Sequence, residues 1–448
     1  MYVLYSFALS ILFCALLPYF IYQALTHGKY TAGFKERAGR IPIQSDARKT
    51  IWLHAVSVGE FLEATPLLQR LKAEFPACRL VVSTTTLTGQ RLARSSSNLD
   101  ATFYFPFDWK FAVRRALDRV KPSIVIILET ELWPNFLREC RRRDVIVILA
   151  NGRISERSFR RYLRVRSFIK RVVADFSIML MQTDADAERA LRLGATRVRT
   201  TGNLKYDVEV EPSTSNTPVP SNTSRDIDHQ FGLSASPRLI VAGSTAPGEE
   251  EMLLAALAEL RRNRGLENVR LLIAPRHPER FQEVAGLISR SEFSYARRSD
   301  AWQSSASMAG GKPSQMRPGV GQPADQVEVI LLDSIGDLAS AYRFAEVVFV
   351  GGSLVPRGGH NVIEPAAFAK PIIVGPHTDN FRQIVSDFAR ADALLQVQPN
   401  ELTTALVGLL SHPDRAREMG ERARNILLAN RGATDRTIRE IKAATKSI

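Results

Sequence analysis

Cysteine and acidic residues are scarce in this sequence. Three of its 448 residues are cysteine, and no two of them stand at CxxC spacing. This pattern excludes a disulfide framework and a four-thiolate zinc site, and it favours a reducing compartment. With 46 acidic residues against 60 lysines and arginines, the formal net charge is +14. A charge of this size indicates an anionic partner, for which nucleic acid, phospholipid and a phosphorylated substrate all qualify.

The composition also lacks the extremes that mark non-globular chains. Hydrophobic residues make up 45% of the sequence and charged residues 24%, which excludes the collagen-like, disordered and polytopic membrane classes. At roughly 100–200 residues per domain, the length predicts two or three domains. We therefore expect a soluble body with enough residues to bury a large core.

Charged residues are missing from the first 28 positions. The apolar run over residues 2–25 would form a helix of about 36 Å, against roughly 30 Å of hydrocarbon in a bilayer. No basic segment precedes it and no A-x-A cleavage site follows it, so the pattern favours a retained membrane anchor over residues 1–28 rather than a signal peptide. A buried core helix is the alternative. By the positive-inside rule, the basic residues that follow predict a body on the cytoplasmic side of the membrane: Lys29, Lys35, Arg37 and Arg40.

From Thr50 onward, short apolar runs alternate with helical patterns such as 60–75 and 109–120. Near-continuous apolar strands separated by helices are typical of parallel sheets covered on both faces. We predict an α/β chain of two Rossmann-like, doubly wound domains that face each other across a cleft. The predicted strands are 51–56, 79–85, 101–105, 123–128, 145–150 and 176–180 in the first series, and 238–243, 269–274, 327–332, 346–351 and 371–375 in the second.

Two polar stretches divide the chain. Residues 209–237 are rich in Pro, Ser, Thr and Asn and predict a linker between a first domain, 29–208, and a second, 238–448. Residues 300–326 are rich in Gly, Ser and Pro and predict a disordered insertion in the second domain. The tail after Glu401 is predicted to be helical, with the option of crossing back to the first domain. Ligands are expected at the carboxyl ends of both sheets.

Polar side chains follow several predicted strands of the first domain. Glu60 follows the first strand in a turn whose Gly59 permits close approach of a ligand, and a partly desolvated carboxylate there suits a general base. A first-turn glutamate that only complements the helix dipole is the alternative. Glu129 and Glu131 follow the fourth strand as a carboxylate pair, but no His or Cys at ligand spacing supports a metal site. Lys205 is either a group that stabilises negative charge or an ordinary solvated lysine.

The second domain carries candidate phosphate ligands. Arg276 follows a strand and offers a planar guanidinium suited to phosphate. The segment 351–371 places four glycines between a strand and a helix that starts near Asn361, which predicts backbone N–H groups around a phosphate and Glu364 on ribose hydroxyls. An ordinary structural turn is the alternative. Neither G-x-G-x-x-G with an acidic partner nor G-x-x-x-x-G-K-[ST] occurs, so the NAD and P-loop classes are not favoured.

A basic stretch over residues 151–173 contains eight Lys and Arg and one acidic residue. It is either a solvated helix or, with a membrane anchor nearby, a surface for anionic lipid or for an anionic lipid substrate. No recognised nucleic-acid motif accompanies the charge, so nucleic acid is not favoured as the partner.

Five motifs, in order, resemble those of the bacterial 3-deoxy-D-manno-octulosonic acid (Kdo) transferases of lipid A assembly. They are HAVSVGE, LETELWPN, GNLKYD, APRHPER and GGHNVIEPAAFAKPIIVGP. The likeness covers nearly the whole chain apart from the linker and residues 300–326. It implies a GT-B glycosyltransferase that moves Kdo from CMP-Kdo to lipid IVA, a tetraacyl disaccharide bisphosphate, at the inner face of the bacterial cytoplasmic membrane. Both substrates are anionic, in keeping with the positive charge.

The resemblance also implies roles for single residues. By motif, Glu60 is the proton acceptor for a sugar hydroxyl of the acceptor, and Glu131 and Lys205 are transition-state stabilisers. The implied reaction is a direct displacement with inversion at the anomeric carbon and without a bound metal. The implied CMP-binding positions are Arg276, His277, Ile335, Gly336, Asp337, Asn361, Val362, Ile363 and Glu364.

Two other functions are compatible with these observations. A sugar-nucleotide epimerase of the same fold needs no membrane anchor. A non-enzymatic, membrane-bound anion scaffold would tolerate the loss of Glu60, whereas a transferase that uses Glu60 as its base would not.

Overall fold

Two units make up the chain, each built on a single sheet. Unit 1 comprises Met1–Val208 and Asn430–Ile448, and unit 2 comprises Glu209–Ala429. The computed structural model describes residues 1–27, 33–43, 46–207, 227–228, 230–234, 238–300 and 327–445. Most of the predicted linker, 209–226, and the predicted insertion, apart from Asp300, lie outside the described residues.

Unit 1 contains a parallel sheet covered by helices. The strands are β1 Thr50–His54, β2 Arg79–Thr84, β3 Ala101–Tyr104, β4 Pro122–Leu128, β5 Ile146–Gly152, β6 Ile178–Met181 and β7 Val198–Thr200. The helices are α1 Tyr2–His27, α2 Phe34–Arg37, α3 Val58–Glu63, α4 Thr65–Glu74, α5 Leu87–Ser95, α6 Lys110–Val120, α7 Pro134–Arg141, α8 Glu156–Arg164, α9 Arg166–Val173 and α10 Asp184–Leu193. A 3-10 turn follows at Leu204–Asp207.

The strand order of unit 1 is β3-β2-β1-β4-β5-β6-β7. Strand β1 is buried at every position and pairs in parallel with β2 on one side and β4 on the other, with Leu53 opposite both Val82 and Ile126. The order reverses between β1 and β4, and ligands of open α/β sheets bind beside the carboxyl ends of strands at such a switch point. The predicted doubly wound sheet is confirmed.

One predicted helix of unit 1 is wrong. The pattern over 60–75 predicts a single helix, whereas the structure has α3 and α4 with a break at Ala64. Ala64 closes α3 by donating its N–H to the carbonyl of Glu60 at 2.9 Å. Pro66 then stands in the first turn of α4, where its missing N–H costs nothing, whereas inside one long helix it would remove a hydrogen bond.

Unit 2 repeats this architecture. Its strands are β8 Leu239–Thr245, β9 Arg270–Pro275, β10 Tyr295–Arg297, β11 Val329–Leu331, β12 Val347–Val350, β13 Ile372–Val374 and β14 Leu395–Gln396, in the order β10-β11-β9-β8-β12-β13-β14. Its helices are α11 Glu249–Leu260, α12 Phe281–Ser289, α13 Leu338–Tyr342, α14 Ile363–Ala367, α15 Arg382–Arg390, α16 Leu402–Ser411 and α17 Pro413–Asn430. The sequence did not predict β7, β10 and β14, which have three residues or fewer and are not fully buried.

The carboxyl end of the predicted linker packs into unit 2. Ile227, Phe231 and Leu233 are buried, and the carbonyl oxygen of Phe231 accepts a hydrogen bond from Arg270 Nη1 at 2.9 Å. Three apolar side chains at this spacing are too few to form a periodic pattern, which is why the polar composition around them dominated the prediction.

The last helix of the chain, α18 Ala433–Thr445, belongs to unit 1. Its buried Ile438 and Ile441 share a core cluster with Leu204. The carboxylate of Asp207 accepts from the backbone N–H of Gly432 at 2.7 Å and from that of Thr434 at 2.5 Å. These bonds satisfy donors at the start of α18, so the turn at 204–207 is held between the sheet and this helix.

The first helix lies against unit 1. Tyr2 Oη donates to Asp175 at 2.7 Å and Tyr5 Oη donates to Asp108 at 3.0 Å. Among the described residues, no helix is long and apolar enough to cross a membrane, so the predicted membrane-spanning anchor is not confirmed. The hydroxyl groups of Tyr2 and Tyr5 bind carboxylates of the body. Helix α1 also exposes apolar side chains: Val3, Leu4, Phe7, Ile11 and Leu12.

Candidate functional site

Glu60 lies directly after β1, in the first turn of α3. Ser57 caps this helix, and its hydroxyl accepts from the N–H of Glu60. The Glu60 carboxylate reaches back and accepts from the N–H of Val56 at 2.7 Å. Glu60 therefore also stabilises the start of α3, as the structural alternative predicted. Burial nevertheless raises the pKa of Glu60 to about 8, against the lowering by the Val56 bond and with a contribution from Glu131.

Glu129 and Glu131 follow β4, the neighbour of β1 in the sheet. Glu129 has a left-handed backbone, with φ of 52°, which turns the chain sharply as it leaves the strand. Thr130 holds the turn in place by hydrogen bonding with the backbone of Arg153. Burial raises the pKa of Glu131, and the charge of Glu129 adds to the effect. The negative charges of Glu129 and Glu131 both contribute to the raised pKa of Glu60.

Lys205 stands in the 3-10 turn after β7, and its ammonium lies 3.1 Å from the carboxylate of Glu63. Burial raises the pKa of Glu63 to about 7, against the lowering by Lys205. Lys205 is not an ordinary solvated lysine, because only 18% of its side chain is exposed. Sequence reasoning missed Glu63. Its position three residues after Glu60 on one helix was the available signal, since such residues are neighbours on a helix surface.

These groups give the carboxyl edge of the unit 1 sheet a definite chemistry. Carboxylates that burial holds near pKa 7 to 8 can accept a proton from a substrate at neutral to alkaline pH. The ammonium of Lys205 is a fixed positive charge at the same edge. Within the described parts of the chain, no group of three or more His, Cys, Asp and Glu side chains is placed to hold a metal ion.

In unit 2, Arg276 and His277 follow β9 and are exposed. The N–H of Arg276 donates to the carbonyl of Thr245 at 3.1 Å, which fixes the start of this turn. Burial lowers the pKa of His360 to about 4, and the nearby charge of Arg276 contributes. His360 is therefore neutral at pH 7. Sequence reasoning did not single out His360, although it belongs to the GGHN motif.

Asn361 and Glu364 form a local pair at the start of α14. Asn361 Nδ2 donates to Glu364 at 3.1 Å, and Asn361 Oδ1 accepts from the N–H of Ile363 at 3.0 Å. Burial raises the pKa of Glu364, while Asn361 and the charge of Arg276 act against the rise. The side chains of Val362 and Ile363 are buried, so their part in any nucleotide site is limited to the backbone.

The turn over 335–337 has an exposed tip at Ile335 and ends in a buried residue, Asp337. Ile335 is 84% exposed, and Gly336 has φ of 94°, a conformation that favours glycine. Asp337 is buried; its carboxylate lies 3.1 Å from Arg298 Nε and accepts from Ser334 Oγ at 2.6 Å. The Asp337 carboxylate thus stabilises the turn, and Ile335 and Gly336 are the accessible members.

The first part of the glycine-rich segment after β12 is a structural turn. The N–H groups of Gly352, Ser353 and Leu354 donate to the carboxylate of Glu249 at 2.7, 2.9 and 2.9 Å, so these three are not available to a phosphate. Glu249 also accepts from Ala246 N–H at 2.9 Å. Glu249 stands about a hundred positions earlier in the sequence, as the first residue of α11 after β8, and β8 pairs with β12. An internal anion therefore fills this cradle.

The two parallel-sheet units share their fold with solved GT-B glycosyltransferases and sugar-nucleotide epimerases. A solved glycosyltransferase from Rickettsia africae matches 90% of this chain and 100% of its own, with a TM-score of 0.54 at 13% identity. The UDP-GlcNAc 2-epimerase of Neisseria meningitidis, solved with UDP-GlcNAc, matches 85% of this chain and 99% of its own, with a TM-score of 0.53 at 11% identity. At these identities the likeness shows the fold alone, which transferases and epimerases share.

The sequence comparisons decide between these activities. The family model for 3-deoxy-D-manno-octulosonic-acid transferase (kdotransferase) matches residues 32–208. The 3-deoxy-D-manno-octulosonic acid transferase of Haemophilus influenzae is 33% identical over 399 residues, which cover 88% of this chain and 86% of the relative. The chain belongs to the Kdo transferase family and is a glycosyltransferase, as its motifs predicted.

The raised pKa of Glu60 has a consequence for stability. A carboxyl group whose pKa rises on folding, here from 4.5 to about 8, destabilises the fold as the pH increases through that interval. Glu60→Gln should therefore leave the melting temperature unchanged at pH 4.5 and stabilise the protein by about 1–3 kcal/mol at pH 9. Thermal unfolding across this pH range measures the difference.

The matched control is Glu74→Gln. Glu74 lies at the surface with 27% of its side chain exposed and forms an ion pair with Lys442 at 2.7 Å, and this contact lowers its pKa. Glu74 therefore contributes stability above its unfolded pKa, and Glu74→Gln should not stabilise the protein at pH 9. A melting temperature of Glu60→Gln that follows the wild type at every pH would show that Glu60 is not desolvated.

Proposed function

We propose that this glycosyltransferase moves Kdo from CMP-Kdo to lipid IVA with inversion at the anomeric carbon. The observation that carries the proposal is the partly buried carboxylate of Glu60 after β1 of unit 1, with a pKa of about 8. Such a group can take the proton of a sugar hydroxyl in the transition state. Membership of the Kdo transferase family supports the choice of the sugar.

The chemical step is a single displacement. The ionised carboxylate of Glu60 accepts the proton of the acceptor hydroxyl while the hydroxyl oxygen bonds to the anomeric carbon of Kdo. The bond between that carbon and the phosphate oxygen of CMP breaks, and its electron pair leaves with CMP. Attack opposite the leaving group inverts the configuration. Lys205 is proposed to stabilise the negative charge that develops, and Glu131 to shape the field around the proton transfer.

Unit 2 is proposed to bind the CMP part of the donor. Arg276 is exposed at the carboxyl end of β9, where its guanidinium can pair with the phosphate in two parallel hydrogen bonds. Glu364, half-buried beside Asn361, offers acceptor oxygens for the ribose hydroxyls. His277, the backbone of 361–363 and the tip at Ile335 and Gly336 complete the proposed site. The reaction as proposed uses no metal.

Substitution of the base tests the proposed function directly. Glu60→Gln keeps the shape and the bond from Val56 but removes the proton acceptor, so turnover with CMP-Kdo and lipid IVA should fall by about 10²–10⁴-fold. Affinity for CMP should remain. Mass spectrometry of the lipid product identifies the transferred sugar, and Glu74→Gln serves as the control. Wild-type turnover in Glu60→Gln would remove Glu60 from the mechanism.

Donor binding has a separate test in unit 2. Arg276→Ala should weaken CMP binding by about 1–3 kcal/mol, because a charge-assisted contact to phosphate is lost. Arg262→Ala is the control, since Arg262 is exposed beyond the far end of α11. Calorimetric titration with CMP gives both affinities. Equal affinities would place the nucleotide away from Arg276.

We further propose that the protein attaches to the cytoplasmic face of the bacterial inner membrane through α1 and the basic helix α8. The exposed apolar side of α1 can enter the interface while its hydroxyl groups hold it to the body. Helix α8 presents exposed arginines that attract anionic lipid. A groove of about 970 Å³ beside α1 also combines aromatic and basic side chains, among them Trp109, Phe111, Arg114, Arg138 and Arg142.

Membrane attachment can be tested without removing α1. The triple variant Leu4→Ser, Phe7→Ser and Ile11→Ser changes only exposed side chains, so the contacts of Tyr2 and Tyr5 remain. The wild type should sediment with vesicles of phosphatidylethanolamine and phosphatidylglycerol even at high salt, because its apolar contribution is not screened. The variant should bind at low salt only. Release of the wild type at high salt would contradict the attachment through α1.

A further inference from the structure

Asn151 connects three parts of unit 1 at the carboxyl end of β5. Its backbone is left-handed, with φ of 56°, and the residue is buried. Asn151 Oδ1 accepts from the N–H of Leu204 at 3.1 Å, and Asn151 Nδ2 donates to Glu63 Oε2 at 3.5 Å. The carbonyl of Asn151 accepts from Gln182 Nε2 at 3.0 Å. One side chain thus ties the 204–207 turn to helix α3.

Glu63 completes the connection through its other oxygen. Glu63 Oε1 lies 3.1 Å from Lys205 Nζ, with only 14% of the Glu63 side chain and 18% of the Lys205 side chain exposed. The backbone of the same turn is fixed by Asn203, whose Oδ1 accepts from the N–H of Lys205 at 3.0 Å. Lys205 is therefore held at its backbone by Asn203 and at its ammonium by Glu63, which Asn151 contacts in turn.

We propose that Glu63 and Asn151 are positioning residues that hold the ammonium of Lys205 at the carboxyl edge of the sheet for transfer. The part given to Lys205 rests on the proposed function, whereas the contacts that hold it do not. A lysine side chain has four rotatable bonds, and fixing it beforehand removes that cost from the transition state. Neither positioning residue has to touch a substrate.

The charges around Glu63 make this role measurable. Glu60 lies on the same helix, Glu129 approaches from the end of β4, and Lys205 approaches from the 204–207 turn. The negative charge of Glu63 raises the pKa of Glu60. Removing that charge should lower the pKa of Glu60, so the acidic limb of the pH–rate profile should move to lower pH. The shift reports the charge of Glu63 beside Glu60, whereas a double variant with Lys205 reports whether Glu63 acts through that lysine.

The kinetic test combines Glu63→Gln with a lysine substitution in the full-length enzyme. Glu63→Gln should lower kcat by up to about 10²-fold, with KM for CMP-Kdo unchanged and the acidic limb displaced. In a Lys205→Ala background, Glu63→Gln should add no further loss, because the group it positions is gone. If the losses from the two substitutions multiply, Glu63 does not act through Lys205 and the proposal is overturned.

Asn151→Gly provides a second variant because glycine keeps the left-handed backbone and removes only the side chain. It should lower kcat in the same way and add no loss to Lys205→Ala. If Glu63→Gln does not fold, this variant decides the question. Wild-type kcat in Asn151→Gly would exclude Asn151 from positioning.

Chemical labelling tests the held lysine independently of activity. Brief acetylation with N-acetoxysuccinimide, followed by peptide mass spectrometry, should modify Lys205 slowly in the wild type and faster in Glu63→Gln and Asn151→Gly. Glu74→Gln should release only Lys442, its partner at 2.7 Å. Equal labelling of Lys205 in every variant would overturn the positioning role. A wild type that transfers no Kdo would overturn the proposed function instead, and labelling would still decide the inference.

Discussion

Desolvation of carboxylates at the carboxyl edge of a parallel sheet is the constraint on which unit 1 depends. A buried β1 ends beside a buried β4, and each delivers acidic residues into the same poorly hydrated edge. Burial is the largest cause of the raised pKa at Glu60, Glu63 and Glu131. Burial of these carboxylates therefore lowers the stability of the fold at alkaline pH, where they must ionise. The same burial raises the pKa of Glu60 into the range in which a general base is useful.

The two units handle a buried carboxylate in different ways. In unit 2, Glu249 accepts from four backbone N–H groups and ties the glycine-rich turn to the start of α11. In unit 1, one backbone N–H, that of Val56, donates to the carboxylate of Glu60. A carboxylate whose oxygens are occupied by backbone donors is a structural element, whereas one with acceptor capacity left can take a proton from a substrate. This difference, rather than residue type, separates the proposed base from the buried anion.

The sequence predicted much of the fold because parallel strands buried on both faces read as apolar runs between helical patterns. It also placed Glu60 and Glu131 at strand ends, and the topology brings both to one edge of unit 1. It singled out Lys205 without predicting β7, the strand that precedes this lysine. The sequence could not show that Glu249 occupies the N–H groups of 352–354, because Glu249 is about a hundred residues away and becomes adjacent only when β8 pairs with β12.

The roles of Asn151 and of helix α1 also depend on long-range contacts, which the periodicity of the sequence does not predict. Asn151 belongs to no sequence motif or periodic pattern that marks it as functional. At the left-handed end of β5, however, its side chain forms hydrogen bonds with Leu204 and Glu63. The apolar run of α1 predicted a membrane span, whereas the hydrogen bonds of Tyr2 and Tyr5 to the body are visible only in three dimensions. Sequence patterns identify strands and strand ends; long-range hydrogen bonds decide which polar groups remain available.

The pH dependence of kcat/KM tests the central claim, that desolvation sets the protonation of Glu60. The measurement follows Kdo transfer from CMP-Kdo to lipid IVA from pH 5 to pH 10 in detergent. An acidic limb with an apparent pKa near 8 is the predicted result, because the free enzyme must lose the proton of Glu60 before it can act as the base. A kcat/KM that stays nearly level from pH 8 down to pH 5, as an ordinary glutamate pKa of about 4.3 would give, would contradict the account.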